Sequence, residues 1–407
     1  QALKIITGGP IGTSLQSLLK EAGKEPLDIR GKMLTKRYYF NVKSTPQHPV
    51  QKCTINCWHY ESLKKRKGKK PFRFRILNEK IVQESDEVEE NRPIPFPPWH
   101  YIPPTISTEL HTLISKNDNP HYQKAKSLEV INTRYKTHLH IYTDGSKDPK
   151  RGNAAAGFYV PAMKIHEQKR LHNDTSSYRA EQVAIIMAFD WIENLNIYVG
   201  IVILSDSLST INAIESQIKE NFVIEILIKI THLHYRGINI TLEWIPSHCG
   251  LVGNEVVDSF AKRALKKNIE INNDLNVQEL KSILSKRVRE IGEERWKTIE
   301  SPLKRFENHS CISIKVNRYS EVILHRLRMG VLQLNQQKAK VGLSETEYCD
   351  YCNISETEEH FIFYCNKYII ERAMLFSDLD TKTIEENKNN TFQVFTEGSI
   401  CHPTIYP

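Results

Sequence analysis

Between residues 136 and 268 the chain switches repeatedly between strand-like and helix-like periodicity, and this limits its fold more than any other feature. Leu139, Ile141 and Thr143 alternate with His138, His140 and Tyr142, which is the period-2 pattern of a strand. Further strands are expected at 154–160 and 164–171, the first of them forming a hairpin with the opening strand. In TSSYRAEQVAIIMAFDWI (175–192), Val183, Ala184, Met187, Ala188 and Trp191 form an apolar helical stripe, and Ser176 or Ser177 can cap it. A buried strand at 199–207 follows, then helices at 207–217 and 221–235, a strand at 238–248 and a closing helix at 253–267. Three strands followed by alternating helix and strand predict an α/β fold, a mixed sheet with helices on it.

Acids fall at the ends of these elements. Asp144 ends the first strand and is followed by Gly145 and Ser146, while Asp206 ends VGIVILSDS. Glu181 lies one turn inside a helix, Asp258 lies in the closing helix, and His248 stands on the loop WIPSHCGLVGN. Taken singly, each has an ordinary reading: a turn-starting Asp, an exposed helix Glu, a hydrogen-bonded loop His. Taken together, strand-ending acids that face a helix-borne acid crowd like charges, which is unfavourable unless cations neutralise them. Mg²⁺ is the usual cation where the substrate brings phosphate. Two ions about 3.5–4 Å apart suit an in-line phosphodiester displacement. A loop His beside them can move protons near neutral pH.

The order TDGS, YRAE, LSDS and WIPSHCGLVGNEVVD resembles the ribonuclease H domain of non-LTR retrotransposon polyproteins, over about residues 136–267. The resemblance implies a five-stranded mixed sheet. It also implies an endonuclease that cuts the RNA strand of an RNA–DNA hybrid and leaves 5′-phosphates. Asp144, Glu181, Asp206 and Asp258 would then hold two Mg²⁺ ions, with Mn²⁺ able to substitute, and His248 would assist proton transfer or product release. Gly145, Ser146, Ser177, Arg179 and Asn254 are expected at the substrate, Asn254 with Glu255 also shaping the loop. Ser177 stands where family members often carry an Asn that touches the hybrid's minor groove; its hydroxyl can still bond a 2′-hydroxyl. The basic handle of bacterial members is absent, which assigns hybrid affinity to basic flanking segments. The segment QALKIITGGPIGTSLQSLLKEAGKEPLDIRGKMLTKRYY is similar to the one that follows the polymerase in these polyproteins, and the polymerase's paired-aspartate motif is missing. The rival reading is a catalytically silent nucleic-acid-binding relic.

The flanks divide by composition. Residues 1–80 are expected as a helical segment with a basic arm, 81–135 as a Pro-rich linker, and 275–407 as a helical, basic tail. The arm SLKKRKGKKPFRFR (62–75) is a phosphate contact, an import signal or a solvated loop, and the formal charge of +8 suits a polyanionic partner. The six prolines of NRPIPFPPWHYIPP forbid helix there. No apolar run is long enough to span a bilayer, and the N-terminus lacks the pattern of a signal peptide. The chain opens on Gln1, as a piece of a longer product would.

Cys349, Cys352, His360 and Cys365 have the ligand types and spacing of a closed, structural zinc site. They resemble the zinc-knuckle-like element near the end of the same polyproteins. Cys53 and Cys57 read as free thiols, and the cysteines together point to a reducing compartment, nuclear or cytoplasmic.

Overall fold

The computed structural model describes residues 1–51, 88–115, 117–195, 199–271, 274–305 and 317–377, with Ser62, Lys65 and Gly68 between the first two stretches. Apart from those three residues the basic arm lies outside the described residues, as do Cys53, Cys57 and everything beyond residue 377. The chain forms two compact units, one of residues 34–285 and one of residues 1–33 with 286–407.

In the larger unit, α3 (Leu27–Ser44, from residue 34) is followed by β1 (Thr105–Ser107), α4 (Glu109–Leu113) and α5 (Pro120–Arg134). Next come β2 (Leu139–Lys147), β3 (Ala154–Val160), β4 (Ile165–Arg170) and α6 (Ser177–Glu193). The unit continues with β5 (Ile201–Ser205), α7 (Leu208–Glu215), α8 (Asn221–Tyr235), β6 (Ile240–Trp244), α9 (Val252–Ala264) and the start of α10 (Val277–Lys297). Among the described residues the sheet has six strands in the order β1-β6-β5-β2-β3-β4. β2 pairs antiparallel with β3 and parallel with β5, and β5 and β1 both run parallel to β6. The sheet is therefore mixed and flanked by helices, as expected, but with six strands in place of five. The added strand is Thr105–Ser107, which lies within the span set down as Pro-rich linker and pairs with Thr241–Glu243.

Both faces of the sheet are covered, which is why β5 reads as an unbroken apolar run. Ile201 and Ile203 point into one core with Ala184, Ile185, Phe189, Val223 and Ile226 of α6 and α8. Val202 and Leu204 point into the other, with Leu110, Ile131, Trp244, Leu251 and Val257. Each such fully buried side chain contributes roughly 1.5–3 kcal/mol relative to exposure. These two cores fix β2 and β5: Asp206 follows the end of β5, whereas Asp144, expected at a strand end, lies inside β2, which stays paired with β3 for three more residues to Lys147.

The smaller unit contains α1 (Ala2–Thr7), α2 (Leu15–Glu21), α11 (Arg318–Met329), α12 (Asn335–Lys340) and α13 (Ile369–Ser377). Leu18, Trp296, Leu303, Met329 and Val331 form its core. The chain's two ends meet through buried Glu21, which accepts from His325 Nδ1 at 2.7 Å and from Arg328 Nε at 2.9 Å. Arg326 donates to the carbonyl of Gly8, which ends α1 in the left-handed conformation (φ 65°) that glycine adopts without strain. The GGPIG run is thus a helix stop. Among the described residues no helix is long and apolar enough to cross a membrane.

Candidate active site

Asp144 stands in β2 opposite Gly157, only 7 % exposed. Glu181 lies in the second turn of α6, whose N-terminus is capped by Ser176 Oγ accepting from Arg179 N at 3.2 Å. Asp206 follows β5 directly, and its carbonyl accepts from Trp244 Nε1. The topology brings one ligand oxygen from each of these three acids to within 4.8 Å of one another. Asp144 Oδ2 and Glu181 Oε2 are buried and have no hydrogen-bond partner.

The charge cost is visible in the titration of these groups. Burial, then the charges of Asp206 and Asp258, push Asp144 up to about 7. Burial, then Asp144 and Asp206, raise Glu181 well above the ordinary carboxylate range, although the Gly145 N–H donates to it. Burial also raises Asp206, against a hydrogen bond from Asn254 and the nearby His248. Two buried carboxylates with orphaned oxygens, and the half-buried Asp206 beside them, are what a divalent cation would satisfy. The donor set is all oxygen, so it fits Mg²⁺.

Asp258 belongs to a neighbouring group. Its carboxylate lies within 4.8 Å of a ligand atom of both His248 and Glu255, and it is held by Lys262 Nζ at 2.6 Å. His248 is exposed and takes a left-handed backbone conformation (φ 51°), uncommon for a residue with a side chain. Glu255, which sequence reasoning gave only a loop-shaping part, accepts from Gly250 N at 3.3 Å. Its spacing of three from Asp258 puts both acids on one helix face, and that signal was available.

The expected substrate residues divide. Ser177 is exposed in the first turn of α6, and Ser146 is half-buried two residues beyond Asp144. Gly145 has a packing role: a Cβ there would lie 2.4 Å from the backbone nitrogen of Glu181. Only glycine lets α6 approach β2 closely enough for Glu181 to meet Asp144. Gly145→Ala is therefore expected to lower stability by about 1–3 kcal/mol and to disable the site, checked by thermal melting beside an activity assay. Asn254 is 3 % exposed, and its Nδ2 reaches Asp206 Oδ2 at 3.4 Å; it orients an acid and does not face outward.

Arg179 departs furthest from expectation. Its guanidinium is buried, bonded to Glu279 at 2.9 Å and Glu89 at 3.0 Å, and it lies over the Phe222 ring. Two residues before Glu181, it projects from the far side of the helix. Glu279 also accepts from Ser176 N at 2.6 Å and forms a reciprocal capping box with Asn276. The start of α10 thereby anchors the helix that carries Glu181.

Residues 136–266 match the family model of RNase H. No curated protein matches the chain. The RNase H domain so marked contains all four acids and His248, and it points to nuclease chemistry and nucleic-acid binding.

Outside the RNase H domain, the ligand atoms of Cys349, Cys352, His360 and Cys365 lie within 4.8 Å of one another. A tight turn sets the first two: Cys349 N donates to Ile354 O, Asn353 N donates to Cys349 O, and Asn353 has φ 53°. A short helical turn, His360–Tyr364, brings in the imidazole and leads to Cys365. The Cys365 sulfur is 3.8 Å from each of the other two, and none is in a disulfide. Zn–S bonds of about 2.3 Å in a tetrahedron give an S···S edge of about 3.8 Å, so the arrangement fits zinc. His360 Nε2 is buried without a partner.

Proposed function

We propose that the RNase H domain hydrolyses the RNA strand of RNA–DNA hybrids in a divalent-metal-dependent reaction that leaves 5′-phosphates. The observation that carries this is the convergence of Asp144, Glu181 and Asp206, with a buried oxygen on each of Asp144 and Glu181 that nothing in the protein satisfies. These three, with Asp258 beside them, would hold Mg²⁺ or Mn²⁺. The bound cations supply charge neutralisation at the scissile phosphate and activation of the attacking water. Asn254 orients Asp206, and Gly145 keeps Glu181 in reach of Asp144. His248, exposed beside Asp258, is placed to move a proton or to help release product. Ser177 and Ser146 are exposed enough to meet a 2′-hydroxyl, the group that separates RNA from DNA.

The motif order and the similarity of residues 1–39 to a post-polymerase segment support an origin in a non-LTR retrotransposon polyprotein. The Cys/His cluster is read as a structural zinc site of the same product, and its free thiols favour a reducing compartment. The deciding assay offers labelled RNA–DNA hybrid, duplex RNA and duplex DNA to the full chain, with Mg²⁺ or with a chelator. Cleavage of the hybrid's RNA strand alone, in Mg²⁺ alone, is expected. Equal cutting of all three substrates, or cutting in chelator, would sink the reading.

A further inference from the structure

We propose that α5, which precedes the RNase H match, belongs to the hybrid-binding surface, with Lys124 as a phosphate contact beside the His248 loop. The inference rests on the nuclease reading and extends it to a segment that the family match does not include.

The helix is built into the active-site loop. Ile131 and Tyr135, with Leu110 and Ile114, share a core with Trp244, Ile245, Cys249 and Leu251, the residues on either side of His248. The start of α5 is fixed as well: Gln123 Nε2 donates to the carbonyls of Ser115 at 2.9 Å and Asp118 at 3.2 Å. Ser127 Oγ donates to Gln123 O at 2.8 Å. The backbone that carries Lys124 is therefore fixed by a packed helix and does not swing as a loop would.

Lys124 is that ammonium. A Cβ built on Gly250 would lie 3.8 Å from both Cδ and Nζ of Lys124. Gly250 is two residues after His248, and its N–H donates to Glu255, a member of the His248 group. The charge on Lys124 is also uncommitted. Lys126 and Arg134 of the same helix are paired with Glu129 and Glu109, whereas Lys124 pairs with no carboxylate among the described residues.

The physical need is specific. The RNase H domain gathers Asp144, Glu181, Asp206, Glu255 and Asp258 in one region, a field that repels a nucleic-acid backbone. A cation at the rim, carried on a fixed helix, offsets that repulsion and holds one phosphate on the His248 side, so the substrate's register is set by a helix outside the matched domain.

The test measures binding and cleavage separately in the full chain. Binding of a labelled RNA–DNA hybrid is followed by anisotropy in chelator across a salt series, for wild type, Lys124→Gln, Lys124→Arg and Lys136→Gln. Lys136 precedes β2, at the opposite end of that strand from Asp144, and serves as the control. Lys124→Gln is expected to weaken binding about 3–10-fold near 0.1 M salt and to reduce the slope of log K against log salt by about 0.9, the value for one phosphate. Lys124→Arg is expected to keep both, and Lys136→Gln to match wild type. In Mg²⁺, Lys124→Gln should raise KM with kcat little changed. A slope for Lys124→Gln equal to wild type, or lost binding that Lys124→Arg does not restore, overturns the proposal. Wild-type cleavage in the same series judges the nuclease reading alone, because the binding arm needs no turnover.

Discussion

Asp144→Asn is expected to abolish hybrid cleavage and, in metal-free protein, to raise thermal stability. Losing an outer-shell partner of a metal ligand typically costs about 10–100-fold, so losing an inner carboxylate should exceed about 10³-fold. The stability gain follows from the same geometry. Burial and the neighbouring acids lift Asp144 from 3.8 to about 7. The folded state thus holds this proton more tightly than the unfolded state does. Its destabilising effect is absent below about pH 4, grows as pH rises, and is fully present above about pH 7. At about 1.4 kcal/mol per pH unit the penalty is on the order of 4 kcal/mol, shared among coupled acids, so relief on the order of 2–4 kcal/mol is expected. Melting in chelator at pH 5 and pH 8 checks it: the gain of Asp144→Asn over wild type should be larger at pH 8. Mg²⁺ should then stabilise wild type and leave the variant nearly unmoved. Cleavage retained by the variant would remove Asp144 from the site. A gain independent of pH would remove the like-charge account.

That like-charge cost is tied to elements which explain why the convergence of Asp144, Glu181 and Asp206 was legible in residue order. Buried acids gathered at the sheet cost folding energy, and the sequence around them shows the elements that impose the cost. The alternation at Leu139, Ile141 and Thr143 and the unbroken run of β5 give the two central strands, and the apolar stripe from Val183 to Trp191 gives the facing helix. The sixth strand was not legible. Thr105–Ser107 is three residues long, too short for periodicity, and its parallel partner is more than 130 residues away. Arg179 was misassigned because closeness in sequence to Glu181 stood in for direction. On a helix, neighbours two apart point to opposite sides, and the partner that decides the matter, Glu279, is 100 residues on. Asn254 shows the converse. One turn before Asp258 and on the same face, it points inward to Asp206, a contact that only the packing of α9 on the sheet creates.

Loss of metal from the Cys/His cluster is the second large effect expected, because the ligands Cys349, His360 and Cys365 are the most buried side chains of residues 348–365, although Ile362 and Phe363 also pack against the core of the smaller unit. Tyr348, Tyr351, Ile354 and Tyr364 are 49 %, 67 %, 57 % and 48 % exposed, so the aromatics of this segment do not form a core of their own. Its interior is Cys349, His360 and Cys365 themselves, at 4 %, 4 % and 1 % exposure. A segment whose apolar filling is limited to Ile362 and Phe363 depends largely on its ligand, and structural zinc in small modules contributes apparent free energies of about 10–16 kcal/mol. Purified chain is therefore expected to carry close to one equivalent of zinc. His360→Ala or Cys365→Ser should lose it, and a strong chelator should open residues 348–365 to protease while leaving the sheet of the RNase H domain protected. Thiol counting in the same samples should show three newly reactive cysteines here, since Cys349, Cys352 and Cys365 are shielded together only while the ion binds them. Zinc-free protein whose segment resists protease to the same degree would mean that hydrogen bonds such as Cys349 N to Ile354 O suffice, and that the sulfurs are close for packing alone.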